Sequence, residues 1–397
     1  MDEVVKAAAK LDYHDLDPYV ATVASGISAR RISEPDKEGK ETIELKADEF
    51  YDKKVSAELG LHNGPDAPLM VILPGVYGNR SGSLTKAFKK IALERGMNYI
   101  AMDNPLQHDV VNSGAQRHPG NIQTEAEATH ALLRSLREQK PEYCKQITLA
   151  GYSYGGLLAA NVARVDEERG GQRVIQGGVV TVSPPENLNH SMRELDSLRE
   201  LYAEGSGSIT ATTILYTKDI GALGYENFPE SDLAARGEGT NITEINIADS
   251  YGSRNEMKDM VAQVDSVFEH HQLPSKWRHP LKRREVLNNM TYDQYNDGWF
   301  LKDPWMAENN MTTEQLAADN SYSQALANLN DTPVYTLLSQ DDYILNGDDI
   351  QTFQELENSE DKREYTQVMD RGGHVGLLFN PEVQNLIGDF AHSAVNL

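Results

Sequence analysis

Cysteine is nearly absent from this chain of 397 residues; Cys144 is the only one. A single thiol excludes an intramolecular disulfide and a thiolate metal cluster. In "PEYCKQITL" it precedes an apolar run and reads as a half-buried bystander. Long hydrophobic runs are missing too: no stretch of about 18 apolar residues occurs, so no membrane span is expected. Positive charge is scarce, with 37 Lys and Arg against 61 Asp and Glu, a formal net charge of -24. Such a surface repels polyanions at long range, which argues against nucleic-acid binding. Neither a G-x-x-x-x-G-K-[ST] loop, a G-x-G-x-x-G turn nor an H-E-x-x-H pair is present, so no cofactor and no metal is expected. The opening "MDEVVKAAAKLDYHDLDPYV" lacks a positive n-region and a long apolar core, so it does not read as a signal peptide. The expected protein is soluble: cytoplasmic, or periplasmic or secreted if a leader has been removed. Its oligomeric state is not legible.

What is present suffices for a folded core, with 39% hydrophobic and 25% charged residues. The first forty residues read as an N-terminal helix and an irregular lead-in. "ETIELKADEFYDKKVSAELGL" alternates and predicts an antiparallel strand pair with one wet face. From "PLMVILPG" onward, continuous apolar strands alternate with helical spacing. The helix "SLTKAFKKIALERG" ends on a glycine stop, and "MNYIAMD" is the next strand. "TEAEATHALLRSLREQ" predicts a helix with an N-terminal Thr and an acidic first turn. "KQITLAG", "GGLLAANVARV" and "VIQGGVVTVSPP" continue the alternation. It resumes in "TPVYTLLSQDD", "DDIQTFQEL", "EYTQVMDRGGH" and "PEVQNLIGDFAHSAV". This pattern predicts a doubly wound, mostly parallel α/β sheet. Residues 1–185 and 332–397 are the expected core. Residues 186–331, polar and uneven in period, are the expected, largely helical cap insertion.

Ligands in such sheets bind beyond the carboxyl ends of the strands. After "ITLA" come Gly151, Tyr152, Ser153, Tyr154 and Gly155, with a helical pattern immediately following. This is the G-x-S-x-G elbow, which projects a serine hydroxyl above the sheet. A serine needs a base, and the base needs an orienting acid. "LLSQDDYIL" supplies Asp342, with Asp341 as a solvated neighbour or helix cap. "MDRGGHVGLL" supplies His374 in a glycine-rich loop. The oxyanion donors are expected to be the N–H groups of Tyr154 and of Val76 in "LPGVYG". Tyr77 and Tyr152 are expected to contact substrate. His270, His271 and His279 read as surface or capping histidines, and His108, Asp109 and His118 as a loop bordering the site.

With these residues in place, the chain resembles the α/β-hydrolase superfamily from about Leu69 onward. "LPGVYG", "GYSYGG", "SQDDYIL", "RGGHVGLL" and "VVTVSPPENLN" are similar to the YheT-like branch of ester hydrolases. Tyr154 departs from the small aliphatic residue usual there, and the insertion is longer. The resemblance implies a metal-independent serine hydrolase that cleaves carboxylic esters through a Ser153-Asp342-His374 triad and an acyl-enzyme. Its partner would be a small-molecule ester or acyl substrate. The rival readings are an acyltransferase or serine peptidase on the same fold, and a non-catalytic α/β-hydrolase that serves in binding.

Overall fold

A computed structural model of the chain describes Thr22 and residues 39–203, 257–359 and 363–394. The expected N-terminal helix lies outside the described residues. The strands are β1 (Lys40–Leu45), β2 (Val55–Gly60), β3 (Leu69–Leu73), β4 (Asn98–Ala101), β5 (Ile147–Tyr152), β6 (Val179–Val182), β7 (Val334–Ser339) and β8 (Glu364–Met369). They form one sheet in the order β1-β2-β4-β3-β5-β6-β7-β8. β2 runs antiparallel to β1 and β4; all other neighbours are parallel.

Helices cover both faces, which is why the parallel strands read as unbroken apolar runs. The period of two divides β3 between two cores. Leu69, Val71 and Leu73 pack with Leu132 and Leu136 of α3 (Ile122–Gln139) and Leu157 and Leu158 of α4 (Tyr154–Glu168). Met70 and Ile72 pack with Phe88 and Ile91 of α1 (Ser83–Glu94) and Ile387 and Phe390 of α12 (Pro381–Ser393). Between α1 and α3 lies the short α2 (His108–Val111). β3 is flanked by β4 on one side and β5 on the other, so the chain reverses its direction of travel there. In open α/β sheets such a reversal point is where ligands are bound, beyond the carboxyl ends of the strands, here those of β3 and β5. Leu73 pairs with Gly151 in register, which sets the loop after β3 beside the turn after β5.

Three sequence expectations need correction. β1 alternates as predicted, but β2 is buried along nearly its whole length because it lies inside the sheet. Its Glu58 is buried with it and is met by Lys89 at 2.5 Å, Lys40 at 2.9 Å and the Tyr99 hydroxyl at 3.1 Å. A buried carboxylate is tolerable when paired in this way. The α3 helix begins at Ile122, and its cap is Asn121, which accepts the Thr124 N–H at 3.2 Å. Thr124 is therefore an interior residue of the first turn. Cys144 is buried outright, and burial pushes its thiol up to about 11.

The described part of 186–331 is helical. It holds α5 (Leu188–Ala203), a helical stretch over 257–267, α6 (Pro280–Asn289), α7 (Tyr292–Gly298), α8 (Pro304–Glu308), α9 (Thr313–Asp319) and α10 (Tyr322–Ala327). Capping boxes start α7, through Thr291 and Gln294, and α9, through Thr312 and Gln315. The two ends of the segment are tied together. The Glu186 carbonyl accepts the Tyr322 N–H at 2.8 Å, and the Glu186 carboxylate accepts the Ser323 N–H at 3.0 Å and its hydroxyl at 2.5 Å. The Tyr322 hydroxyl lies 2.6 Å from both Thr181 of β6 and Thr336 of β7. α11 (Gly347–Glu357) follows β7.

Candidate active site

Ser153 sits between the last residue of β5 and the first of α4 with φ 53° and ψ -132°. A non-glycine residue in that region costs on the order of 1–3 kcal/mol and persists only where its surroundings hold it. Here the Ser153 N–H donates to Val182 O at 2.9 Å, and its carbonyl accepts the Gly156 N–H at 2.8 Å. The flanking glycines answer to close approach. A Cβ on Gly151 would lie 2.1 Å from Gly155 O, and one on Gly155 would lie 2.0 Å from Leu73 O. The turn exists only because these backbones touch.

His374 Nε2 lies 2.8 Å from Ser153 Oγ, and His374 Nδ1 lies 3.0 and 3.1 Å from the two oxygens of Asp342. With Nδ1–H donating to the carboxylate, Nε2 is left as acceptor for the serine hydroxyl. The Asp342 side chain is fully buried, and that of His374 is 13% exposed. The Tyr343 ring stands edge-on to the imidazole, with centroids 5.9 Å apart. The loop carrying His374 is fastened at three points. Asp341 accepts the Gly373 N–H at 2.8 Å, Ser339 Oγ donates to the Gly373 carbonyl at 2.7 Å, and Ser183 Oγ accepts the Val375 N–H at 3.0 Å. Asp341 is thus a loop fastener, not the solvated neighbour or cap that the sequence suggested. Burial raises its carboxyl pKa, against the opposing hydrogen bonds from Gly373, Ser339 and Gly372.

The loop Pro74–Gly78 closes on itself through Gly78 N–H to Gly75 O at 2.8 Å, with Tyr77 at φ 56°. Asn104 holds it from outside, its Nδ2 donating to Pro74 O at 3.0 Å. A Cβ on Gly75 would come within 3.1 Å of Ser153 Cβ, so this loop packs directly on the serine. Val76 lies in that loop. Tyr154 is the first residue of α4, where backbone N–H groups have no intrahelical acceptor.

The tyrosines differ from expectation. Tyr152 is buried, with its hydroxyl 3.1 Å from Thr85 Oγ1 and its ring stacked on Phe88 at 5.5 Å. It is a packing residue beneath Gly75, not a residue turned toward substrate. Tyr77 is buried in the same cluster as Tyr154 and Tyr295. The Tyr154 hydroxyl donates to Glu125, whose other oxygen accepts the Gly120 N–H at 2.6 Å. Burial pushes the Glu125 carboxyl up to about 7, with both hydrogen bonds pulling the other way. In sequence Glu125 is an ordinary first-turn acid, and nothing there signals its burial.

His118 is buried and its Nδ1 lies 3.0 Å from Asp303, while its Nε2 lies 2.6 Å from His270 Nε2. His270, expected at the surface or in a cap, is therefore not a plain surface group. Among the described residues, no group of three or more His, Cys, Asp and Glu side chains is disposed to hold a metal ion, and no helix is long and apolar enough to cross a membrane.

The model of the Alpha/beta hydrolase family matches residues 70–384. No curated protein matches the sequence. Among solved structures the chain is similar to an esterase of Pyrococcus furiosus, at 13% identity over 92% of this chain and 96% of that one, TM-score 0.47. It is similar to a hyperthermophilic esterase of Pyrobaculum calidifontis, at 14% identity over 100% and 96%, TM-score 0.48. It is also similar to carboxyl esterase 2 of Tuber melanosporum, at 15% identity over 96% and 99%, TM-score 0.46. With the family model spanning β3 to α12, and an elbow, an acid and a histidine at the ends of β5, β7 and β8, the chain belongs to the alpha/beta hydrolase family.

Proposed function

We propose that the chain is a serine hydrolase that cleaves carboxylic esters through an acyl-enzyme. The observation that carries this reading is the continuous hydrogen-bonded line from Ser153 Oγ through His374 to Asp342. His374 Nε2 takes the hydroxyl proton as Ser153 Oγ attacks the acyl carbonyl. Asp342 holds the tautomer and stabilises the imidazolium. The N–H groups of Val76 and Tyr154 receive the oxyanion, each worth about 10²–10³ in rate. Collapse expels the alcohol, which takes the proton from His374. Water then repeats the cycle on the acyl-serine and releases the acid. The 186–331 segment is read as the cap that bounds the acyl and alcohol pockets, with Tyr77 behind the oxyanion loop. The resemblance to the YheT-like branch is consistent with this assignment and adds the expectation of some acyl transfer to alcohols.

Ser153→Ala is expected to abolish turnover of a short p-nitrophenyl ester, while the thermal transition stays cooperative. Turnover of the unaltered chain is expected to be the same with and without EDTA, since nucleophile, base and oxyanion donors are all protein groups. Full activity in Ser153→Ala would sink the assignment.

A further inference from the structure

The stretch Ser275–Glu285 contradicts the rest of the molecule. In a chain of net charge -24, Lys276, Arg278, Lys282, Arg283 and Arg284 crowd together, and no Asp or Glu occurs between Glu269 and Glu285. Arg283 alone of these has a carboxylate near it among the described residues, Asp265 at 4.0 Å. Lys276, Arg278, Lys282 and Arg284 are exposed. Set among them are Trp277, 90% exposed, and Leu281, 81% exposed. The large hydrophobic side chains that stand exposed among the described residues are these two and Leu301, all within the insertion.

The arrangement is unfavourable in isolation on two counts. An indole and a leucyl side chain face water. Lys282 and Arg283 lie in the first turn of α6, where the helix dipole disfavours cations and no acid compensates. Both are relieved by one kind of occupant: a surface that takes apolar side chains a few ångströms below a layer of anionic groups. Tryptophan and leucine beside lysine and arginine are the composition that binds in the plane of a bilayer. Nucleic acid would satisfy the cations and stack on Trp277, but offers nothing to Leu281. Net negative charge elsewhere does not forbid the contact, because at about 0.1 M salt the Debye length is about 10 Å and remote carboxylates are screened.

We propose that Ser275–Glu285 is a docking surface for a membrane carrying anionic lipid, with Trp277 and Leu281 entering the headgroup layer and the flanking cations meeting lipid phosphates and carboxylates. This does not rest on the catalytic reading. The test is best made on the full chain carrying Ser153→Ala, so that lipid hydrolysis cannot disturb the readout.

At about 0.1 M salt the protein should co-sediment with phosphatidylcholine vesicles containing roughly a third phosphatidylserine, and much less with phosphatidylcholine alone. Trp277→Ala with Leu281→Ala should weaken binding by at least about tenfold. Lys282→Glu with Arg284→Glu should abolish the preference for anionic vesicles, as should about 1 M salt. All four positions are exposed, so no loss of melting temperature is expected in either double variant. The proposal is overturned if the unaltered surface ignores phosphatidylserine, or if both double variants bind as well as the parent. It is also overturned if a DNA duplex is bound through these residues while vesicles are not.

Discussion

Glu125 ties Tyr154, the neighbour of Ser153, to the protein interior. Its carboxyl faces Tyr154 from α4, Tyr292 and Tyr295 from α7, and Tyr51 from the β1–β2 connection. In the folded chain it holds its proton to about pH 7, whereas an unfolded chain releases it near 4.5. Below pH 4.5 both states are neutral and folding carries no penalty from this group. As pH rises from 4.5 to 7, the unfolded state ionises first and gains, so stability falls by about 3 kcal/mol and then levels off. Glu125→Gln should remove that fall. The check is the unfolding free energy of both forms across pH 4 to 8; parallel curves would refute the assignment.

The adjacent acids of the site separate on the same scale. Asp342→Asn should lower kcat by about 10⁴ by reversing the imidazole tautomer. Asp341→Ala should instead leave the Gly373 N–H buried and unpaired, destabilising the chain by about 1–3 kcal/mol with a much smaller loss of kcat. Steady-state kinetics with thermal melts of the two variants separates the roles. Ser153, Asp342 and His374 were legible because strand ends and loop glycines announce them in sequence. The Glu125–Tyr154 bond was not, since nothing in a helix's first turn tells whether another helix will roof it. Tyr152 was misread for a related reason: its residue type suits substrate contact, and only the packing of Phe88 and Thr85 decides otherwise.

At the scale of elements, the parallel strands were readable because helices on both faces require unbroken apolar runs. β2 was less so, because Glu58 breaks the apolar pattern and its partner Lys89 comes from α1, far along the chain. The start of α3 was misplaced by two acceptable capping residues so close together, Asn121 and Thr124. α10 shows what joins the elements. Its Tyr322 hydroxyl touches β6 and β7 at once, so Tyr322→Phe should cost about 1–2 kcal/mol in urea unfolding, with little effect on KM. A variant as stable as the parent would mean that water replaces the bridge without loss.

For the whole molecule, the order of motifs made the family legible, while the described part of 186–331 was legible only as helical and polar. Its packing rests on pairs such as His118–Asp303, which unite distant parts of the chain and leave no periodic trace. The bonds between Glu186 and Tyr322–Ser323 have a consequence for insertions and deletions. They bring the beginning and end of a long excursion together, so the sheet does not register how long that excursion is. Each doubling of a loop closed in this way adds only about 0.6 kcal/mol. Lengthening, trimming or exchanging what lies between is therefore expected to cost the fold little, and new surfaces can be added there without moving the strand ends that bear Ser153, Asp342 and His374.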